Sequence, residues 1–287
     1  MSQQPNSIAV VGVGLMGGSI GLAALSRKSC ERVVGIGRDA AKLAAAADLG
    51  AVTDVTTDLA KGVKDVDLVV ICTPSAQVAD IARQVQAAAD GPVIITDVAS
   101  TKQQIIEDLT PDIVAGMRYV GSHPLCGSHL SGVEAAEPNL FRHQKIVVTP
   151  ALPRPLAVEA KDVVREVVFF WKALSGIPIE MSAEEHDQAL AATSHAPHVI
   201  ASLLASSTPS EVLSLVSSGW RDTTRVAAGN VEIWRDILQQ NRSMVVNSLK
   251  SFDSALKQFT TALESEDWDQ VVKLLEDGKK QRDAVGS

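Results

Sequence analysis

The sequence contains few cysteines, and they are not arranged for a disulfide framework or a zinc cluster. Cys30, Cys72 and Cys126 are an odd number, and no two of them form a CxxC pair. Secreted domains that depend on disulfides carry many more cysteines at regular spacings. We therefore expect free thiols and a reducing compartment, the cytoplasm.

Long apolar runs, a leader segment and a basic patch are also lacking. The longest apolar runs, such as residues 68–72, are strand-sized, and the start MSQQPNS does not have the pattern of a signal peptide. The lysines and arginines are dispersed, and the formal net charge is −8. We expect no membrane association and no nucleic-acid partner.

What is present is a chain of 287 residues, 46% of them hydrophobic, which is enough for two domains. Short apolar runs alternate with alanine-rich helical stretches, a pattern that predicts βαβ units and a mostly parallel sheet. The predicted strands are Ile8–Val13, Arg32–Ile36, Asp67–Cys72, Val93–Asp97, Tyr119–Ser122, Ile146–Thr149 and Ile177–Glu180. The predicted fold is α/β, with a dinucleotide-binding domain over residues 1–181.

Strand signals end at Ser182, where Ser182-Ala-Glu-Glu185 has the pattern of a helix capping box. Residues 182–287 are predicted to form an all-helical domain. One helix carries an apolar seam at near-heptad spacing, formed by Val245, Leu249, Phe252, Leu256, Phe259 and Leu263. Packing within one bundle and a dimer interface are equally compatible with that seam.

A glycine motif, Gly12-Val-Gly14-Leu15-Met16-Gly17, lies between the first strand and a helix. In that position Gly12 permits a tight turn, Gly14 lets the backbone approach a pyrophosphate, and Gly17 allows close helix–strand packing. The helix N-terminus then offers free N–H groups to the phosphates. The motif predicts a nicotinamide dinucleotide as cofactor.

The second predicted strand distinguishes NADP from NAD. A glycine, Gly37, stands where NAD sites usually carry an acid for the ribose, and Arg38 follows it. A guanidinium pairs well with a 2′-phosphate, so we favour NADP. The alternative is NAD, with Asp39 turned back to the ribose and Arg38 in solvent.

The stretch GSHPLCGSH, residues 121–129, permits a metal site, a cysteine nucleophile or a histidine base. His123 and Ser100 each follow a predicted strand, so both belong to the edge where open parallel sheets bind ligands. The serine hydroxyl is therefore expected to hold the imidazole in one tautomer, unless Ser100 serves as the N-cap of the next helix.

The helical part carries a polar stripe and an arginine cluster. At 100° per residue Asp187, Gln188, His195 and His198 share one helix face, whereas His186 falls off it and is predicted to lie at the surface. Farther on, Asp222 is spaced to brace Arg225 as a reader of carboxylates; a surface ion-pair cluster is the alternative.

These motifs together resemble the prephenate/arogenate dehydrogenases of tyrosine biosynthesis. The resemblance covers nearly the whole chain and rests on GVGLMGGS (12–19), ICTP (71–74), TDVASTK (96–102), HPLCGS (123–128), SGVEAAEPNLF (131–141), HDQALAATSHAPH (186–198) and GWRDTTRVAAGNVEIW (219–234). It implies a homodimer with the active site between the two domains and an NAD(P)-dependent oxidative decarboxylation that needs no metal.

The resemblance also implies roles for particular residues. His123 accepts the proton of the substrate hydroxyl, Ser100 orients the ring, and Arg225 binds a substrate carboxylate. The cofactor would lie against Thr73 and Pro74. The substrate pocket would be lined or gated by Ser128, His129, Asp187, Asp222, His195, His198 and Trp234, with Trp234 from either subunit.

Position 129 is where the chain departs from the family. Many members carry an acid there, suited to the ammonium group of arogenate, whereas this chain has His129. That favours prephenate, with arogenate as the alternative. A β-hydroxyacid dehydrogenase is disfavoured because the SHAPH stretch offers histidines where that class uses a lysine. A non-catalytic NADP-binding regulatory protein would be expected to lack His123 or Arg225.

Overall fold

A computed structural model describes residues 5–127, 130–151 and 158–286. Its centre is one eight-stranded sheet in the order β3-β2-β1-β4-β5-β6-β7-β8. Strands β1 to β6 are parallel, β7 runs antiparallel to β6, and β8 is parallel to β7. The strands are β1 Ser7–Val11, β2 Arg32–Ile36, β3 Asp54–Thr56, β4 Leu68–Ile71, β5 Ile94–Asp97, β6 Arg118–Pro124, β7 Lys145–Pro150 and β8 Ile177–Glu180.

Six α-helices are interspersed with these strands, and the described chain after β8 is helical. The helices are α1 Leu15–Ser26, α2 Ala40–Asp48, α3 Leu59–Gly62, α4 Val78–Ala88, α5 Gln103–Val114, α6 Val158–Ala173, α7 Ala183–Leu190, α8 Ala196–Ser207, α9 Ser218–Thr224, α10 Val231–Gln240, α11 Arg242–Glu264 and α12 Trp268–Val285. A π-helical turn, Ala191–His195, joins α7 to α8. Short 3₁₀ turns cover Ser75–Gln77, Val133–Ala135, Ser210–Leu215 and Arg225–Ala228.

The central strands are apolar because both faces of the sheet are covered. One buried cluster includes Ile8, Val10 and Trp171, and the other includes Ala9, Ile71 and Leu109. Alternate residues of β1 therefore belong to opposite clusters, as the two-residue period of a strand requires. The predicted α/β fold with a helical C-terminal part is confirmed.

Two strand predictions need correction. The three-residue strand β3 was not predicted, because it is short, partly exposed and polar at Asp54. Strand β6 extends to Pro124, so His123 lies within it, opposite Val147 of β7, and not after its end. The antiparallel partner β7 supplies the extra pairing that continues β6.

The helical part begins at the predicted capping box. The Ser182 hydroxyl accepts from the backbone N–H of Glu185, and the Glu185 carboxylate accepts from the N–H of Ser182. Farther on, half of the seam of α11 is exposed within one chain: Phe252, Leu256 and Leu263 are 43%, 52% and 45% exposed, whereas Val245 is buried. The other two seam residues, Leu249 and Phe259, are half-buried. Packing inside the bundle therefore accounts for only part of the seam.

Candidate active site

The sheet order places two loops side by side at its carboxyl edge. The chain reverses direction across the sheet between β1 and β4, and open α/β sheets bind ligands at such a switch point. The loop after β1 carries the glycine motif, and the loop after β4 carries Thr73. A Cβ atom on Gly12 would lie 3.2 Å from Cγ2 of Thr73, so the two loops are in contact.

The three glycines of the motif have three different surroundings. Gly12 has φ +96°, a conformation that favours glycine, and a Cβ there would lie 2.9 Å from the Cys72 carbonyl oxygen. A Cβ on Gly17 would lie 2.3 Å from the Gly12 carbonyl oxygen, so this glycine permits α1 to pack on the turn. A Cβ on Gly14 would meet no atom within 4 Å, which leaves open space beside the helix start.

The start of α1 fits a phosphate group. Leu15 and Met16 are its first residues, Gly14 provides no side-chain cap, and the first turn carries no acidic residue. The unpaired N–H groups and the positive end of the helix dipole are thus left to a ligand. Across the open space, Thr73 Oγ1 is buried without a hydrogen-bond partner in the described structure, and Pro74 beside it is exposed. These residues fit a dinucleotide.

The two candidate cofactor contacts after β2, Arg38 and Asp39, have different surroundings. The Asp39 carboxylate caps α2, accepting from the N–H groups of Ala41 at 2.9 Å and Lys42 at 3.2 Å. Arg38 is exposed, and no ion pair to it is found in the described ranges. The aspartate is therefore already engaged, whereas the guanidinium is available to a ligand.

His123 is buried, with 9% of its surface exposed. Its Nδ1 lies 2.8 Å from Nε2 of His186, and the two rings meet edge to face. Burial, together with His186, Lys102 and His195 nearby, lowers the pKa of His123 well below its ordinary value. The imidazole is thus held in the uncharged form that a proton acceptor requires.

The prediction that His186 lies at the surface is wrong. Its side chain is fully buried between His123 and Asp187, and its Nδ1 lies 2.6 Å from Oδ1 of Asp187. The π-helical turn Ala191–His195 explains the error, because its additional residue shifts the phase of α7 relative to α8. Gln188, which was predicted to share a helix face with Asp187 and the two later histidines, is exposed, whereas those three are buried.

Asp187 was predicted to line the substrate pocket, but its carboxylate binds His186 and the start of α5. It is fully buried, and its carboxylate accepts from the N–H groups of Lys102 at 2.9 Å and Gln103 at 3.0 Å, at the start of α5. The N-cap position of α5 is Lys102. Ser100 is therefore not the N-cap, and in the described structure the hydrogen-bond partner of the His123 ring is His186, not Ser100.

The remaining two histidines of the stripe, His195 and His198, are both buried. The His195 Nδ1 lies 3.1 Å from the Asn241 amide nitrogen, and desolvation lowers the pKa of His195 to about 4. The His198 ring stacks on Trp234 of the same chain, with ring centres 3.5 Å apart. The His198 Nδ1 is buried without a described partner, and desolvation lowers the pKa of His198. Trp234 is only half-buried.

The predicted brace between Asp222 and Arg225 is not observed. Both side chains are exposed, and no ion pair joins them in the part of the chain that the structure describes. Arg225 begins the 3₁₀ turn whose next residue, Val226, makes a backbone hydrogen bond with His198. Arg225 thus belongs to the turn that contacts α8 beside His198, and its guanidinium has no ion-pair partner among the described residues. Ser128 and His129 lie outside the described residues.

Sequence reasoning missed a buried charged cluster under the site. Lys102 and Asp97 form an ion pair with no exposed surface, and the Tyr119 hydroxyl donates to the same carboxylate. Desolvation lowers the pKa of Lys102, and it raises that of Tyr119 well above its ordinary value. A lysine five residues after a strand carries no burial signal, so only the fold shows this pair.

The cysteine hypothesis for residues 121–129 loses support, whereas the metal hypothesis includes His129, which lies outside the described residues. Within the described ranges, no group of three or more His, Cys, Asp or Glu side chains is placed to hold a metal. Cys126 packs against the core, and burial raises the pKa of its thiol to about 11, so it is protonated at neutral pH. The described helices are all too short or too polar to cross a membrane.

Comparisons with known proteins agree with this arrangement. The model of the prephenate dehydrogenase nucleotide-binding domain matches residues 22–173, and that of the prephenate dehydrogenase dimerization domain matches residues 182–277. A cyclohexadienyl dehydrogenase of Zymomonas mobilis is 32% identical, over 97% of this chain and 95% of its own length.

Two prephenate dehydrogenases are similarly related. That of Bacillus subtilis is 30% identical, over 99% of this chain and 77% of its own length. The crystal structure of the A. aeolicus enzyme with hydroxyphenyl propionate and NAD⁺ superposes with a TM-score of 0.87 at 28% identity, covering 97% of this chain and 98% of that one. The chain belongs to the prephenate dehydrogenase family, an NAD(P)-dependent family of oxidoreductases.

Proposed function

We propose that the protein is a prephenate dehydrogenase that converts prephenate to 4-hydroxyphenylpyruvate and CO₂ in tyrosine biosynthesis, with NADP as the preferred cofactor. The observation that carries this proposal is His123, a buried and uncharged imidazole on the sheet that also carries the glycine turn. We further propose residues 1–181 and 182–287 as the two domains.

The chemistry requires an acceptor for one proton. When bound, the nicotinamide supplies the acceptor for the hydride that leaves C4 of the cyclohexadienol. His123 takes the proton of the 4-hydroxyl as the carbonyl forms. The C–C bond to the ring carboxylate then breaks and CO₂ departs. The electron pair of that bond stays on the ring, which becomes aromatic and forms a phenolate. The proton returns from His123 to that oxygen, which restores the free imidazole.

Arg225 is proposed to bind a substrate carboxylate. Arg225 lies in the turn that contacts α8 beside His198, and its side chain is exposed and has no ion-pair partner among the described residues. A planar carboxylate can therefore accept two hydrogen bonds from its guanidinium. The preference for prephenate over arogenate rests on position 129, because a histidine there does not attract the ammonium group of arogenate as an acid would. Ser100, partly buried at the same edge of the sheet, is proposed to orient the substrate ring.

The preference for NADP rests on the two residues after Gly37. Because Asp39 already caps α2, Arg38 is the charged side chain available to a ribose 2′-substituent. Replacing Arg38 with Asp is expected to shift the ratio of kcat/KM from NADP toward NAD. Lys42→Glu on the exposed face of α2 is a charge-matched control, and an unchanged ratio in Arg38→Asp contradicts the assignment.

A homodimer is proposed from the exposed seam on α11. Phe252, Leu256 and Leu263 are 43%, 52% and 45% exposed within one chain, and Trp268 at the start of α12 is 58% exposed. Apolar residues at such spacing are typical of helix pairing between subunits. A cytoplasmic location is proposed because Cys30, Cys72 and Cys126 are all free thiols.

The decisive experiment measures initial rates with prephenate and arogenate, each with NAD and NADP. The largest kcat/KM is expected for prephenate with NADP. A preference for arogenate would correct the substrate, and cofactor binding without turnover of either compound would favour a regulatory protein. His123→Asn is expected to lower kcat by about 10²- to 10⁴-fold with substrate affinity nearly intact. A small loss in kcat contradicts the role of His123.

A further inference from the structure

The Asp187 carboxylate is an acceptor on every side that the structure describes. It accepts from two backbone N–H groups at the start of α5, those of Lys102 and Gln103. Its third partner is the Nδ1 of His186, 2.6 Å from Oδ1. An ionised carboxylate has no proton to donate, so the hydrogen on this contact belongs to His186.

The same reasoning applies to the next contact. A neutral imidazole that carries its proton on Nδ1 presents a lone pair on Nε2. The Nε2 of His186 lies 2.8 Å from the Nδ1 of His123, so with a neutral His186 the donor on this contact is His123. His123 then carries its proton on Nδ1, and its Nε2 has none.

We propose that Asp187 and His186 are positioning residues that fix His123 in the Nδ1–H tautomer, so that its Nε2 lone pair receives the substrate proton. The inference deepens the proposed function and rests on it for the identity of that proton. Neither Asp187 nor His186 touches the substrate in this scheme.

The chain of hydrogen bonds also orders the charges around His123. When His123 gains a proton, His186 remains its hydrogen-bond acceptor and the Asp187 carboxylate lies one ring farther away. The Lys102 cation and burial both oppose a charge on this imidazole. His123 therefore holds the substrate proton only during the reaction and is uncharged in the resting protein.

The hydrogen-bond relay from Asp187 through His186 to His123 crosses from the helical part to the sheet. His186 and Asp187 lie on α7, whereas His123 lies on β6 and the capped N–H groups belong to α5 and the residue before it. The Asn241 amide donates to the Asp187 carbonyl oxygen at 2.7 Å and holds this part of α7 in place. His123 therefore adopts the active tautomer only when the two parts of the chain are docked.

The first test is the tautomer itself, measured in the resting protein without substrate. The chain has six histidines, so ¹⁵N spectra of histidine-labelled protein can be assigned by single substitutions. The expected spectrum shows His123 with a protonated Nδ1 and a bare Nε2 at neutral pH. A protonated Nε2 on His123 would overturn the proposal, whatever the enzyme's activity.

The second test is a double-mutant cycle on kcat with Asp187→Ala and His186→Leu. Each single variant is expected to lower kcat by roughly 10²- to 10⁴-fold with little change in KM, as when an imidazole base loses the group that sets its tautomer. Because both act through one hydrogen-bond chain, the double variant should lose little more than the worse single one. Losses that multiply would refute the proposal.

Thr101→Val is the matched structural control. The Thr101 hydroxyl donates to Gln240 across the same junction, next to the start of α5, without touching the relay. This variant should lower the melting temperature yet keep the His123 tautomer and kcat. A Thr101→Val loss equal to that of Asp187→Ala would show that docking alone matters. Absence of any turnover by the wild-type chain, with the expected tautomer present, refutes the proposed function and leaves the relay standing.

Discussion

Replacing Gly14 and Gly17 by alanine is expected to separate cofactor binding from folding. The added methyl group on Gly17 would lie 2.3 Å from the Gly12 carbonyl oxygen and 2.7 Å from Cγ1 of Val10. Neither atom is the end of a long flexible side chain, so α1 must shift. Overpacking of this kind costs about 1–3 kcal/mol of stability. For a chain of this size that corresponds to a fall in melting temperature of about 2–5 °C.

The methyl group on Gly14 meets nothing within 4 Å, and its φ of −102° suits alanine. Gly14→Ala should therefore keep the melting temperature within about 1.5 °C of the wild type, the cost of a poorer helix cap. The methyl group would, however, occupy the space through which a pyrophosphate reaches the N–H groups of α1. Losing one charged hydrogen bond costs about 1.5–3 kcal/mol, which predicts cofactor affinity about 10- to 100-fold weaker.

Thermal unfolding without cofactor and calorimetric titration with NADPH distinguish the two variants. Gly17→Ala should unfold early, and Gly14→Ala should unfold normally but bind weakly. Wild-type affinity in Gly14→Ala would refute the placement of the phosphates at this helix end. A large loss of stability in the same variant would show that the open space is filled in the folded protein.

Three further outcomes are expected. Arg225→Ala should raise the KM for prephenate about 10- to 100-fold with a smaller effect on kcat, and an unchanged KM excludes a carboxylate contact. Leu256→Glu should shift the protein from dimer to monomer in sedimentation, whereas Lys42→Glu should not; a dimeric Leu256→Glu variant removes the seam from the interface. Lys102→Met combined with Asp97→Asn removes the buried ion pair and a cation that lowers the pKa of His123. Loss of this cation should raise the pKa of His123. Because His123 acts as a base when uncharged, the acidic limb of the kcat/KM profile should move to higher pH. An unchanged acidic limb contradicts an effect of Lys102 on His123.

Local signals were sufficient for the sheet and for the glycine motif. The strands of a buried parallel sheet are apolar on both faces, so runs such as residues 68–71 are visible without any partner. The motif is equally local, because Gly12, Gly14 and Gly17 all lie within a few residues of the turn between β1 and α1. Strand β3 had no such signal, since three partly exposed residues at a sheet edge bury little apolar surface.

The predicted positions of the polar side chains depended on the helical phase, that is, the direction in which each residue of α7 and α8 points. One irregular turn between the two helices changes that phase. In an uninterrupted α-helix His186 and His198 lie about 120° apart, which places His186 off the stripe. The π-helical turn at Ala191–His195 adds one residue without a matching rotation and removes about 100° of that difference. His186 thereby joins the buried face, and Gln188 leaves it. No residue type in Ala-Ala-Thr-Ser-His announces such a turn.

The same turn accounts for why the relay is buried at all. Because α7 and α8 are out of register with each other, α7 directs His186 and Asp187 toward β6 and α5, while α8 directs His198 toward Trp234. A regular helix through this stretch would leave either the base without its partner or the His198–Trp234 stack unformed. The irregular turn is therefore the feature that lets one helical segment serve both sides of the site, consistent with the frequent occurrence of π-turns where side chains must converge.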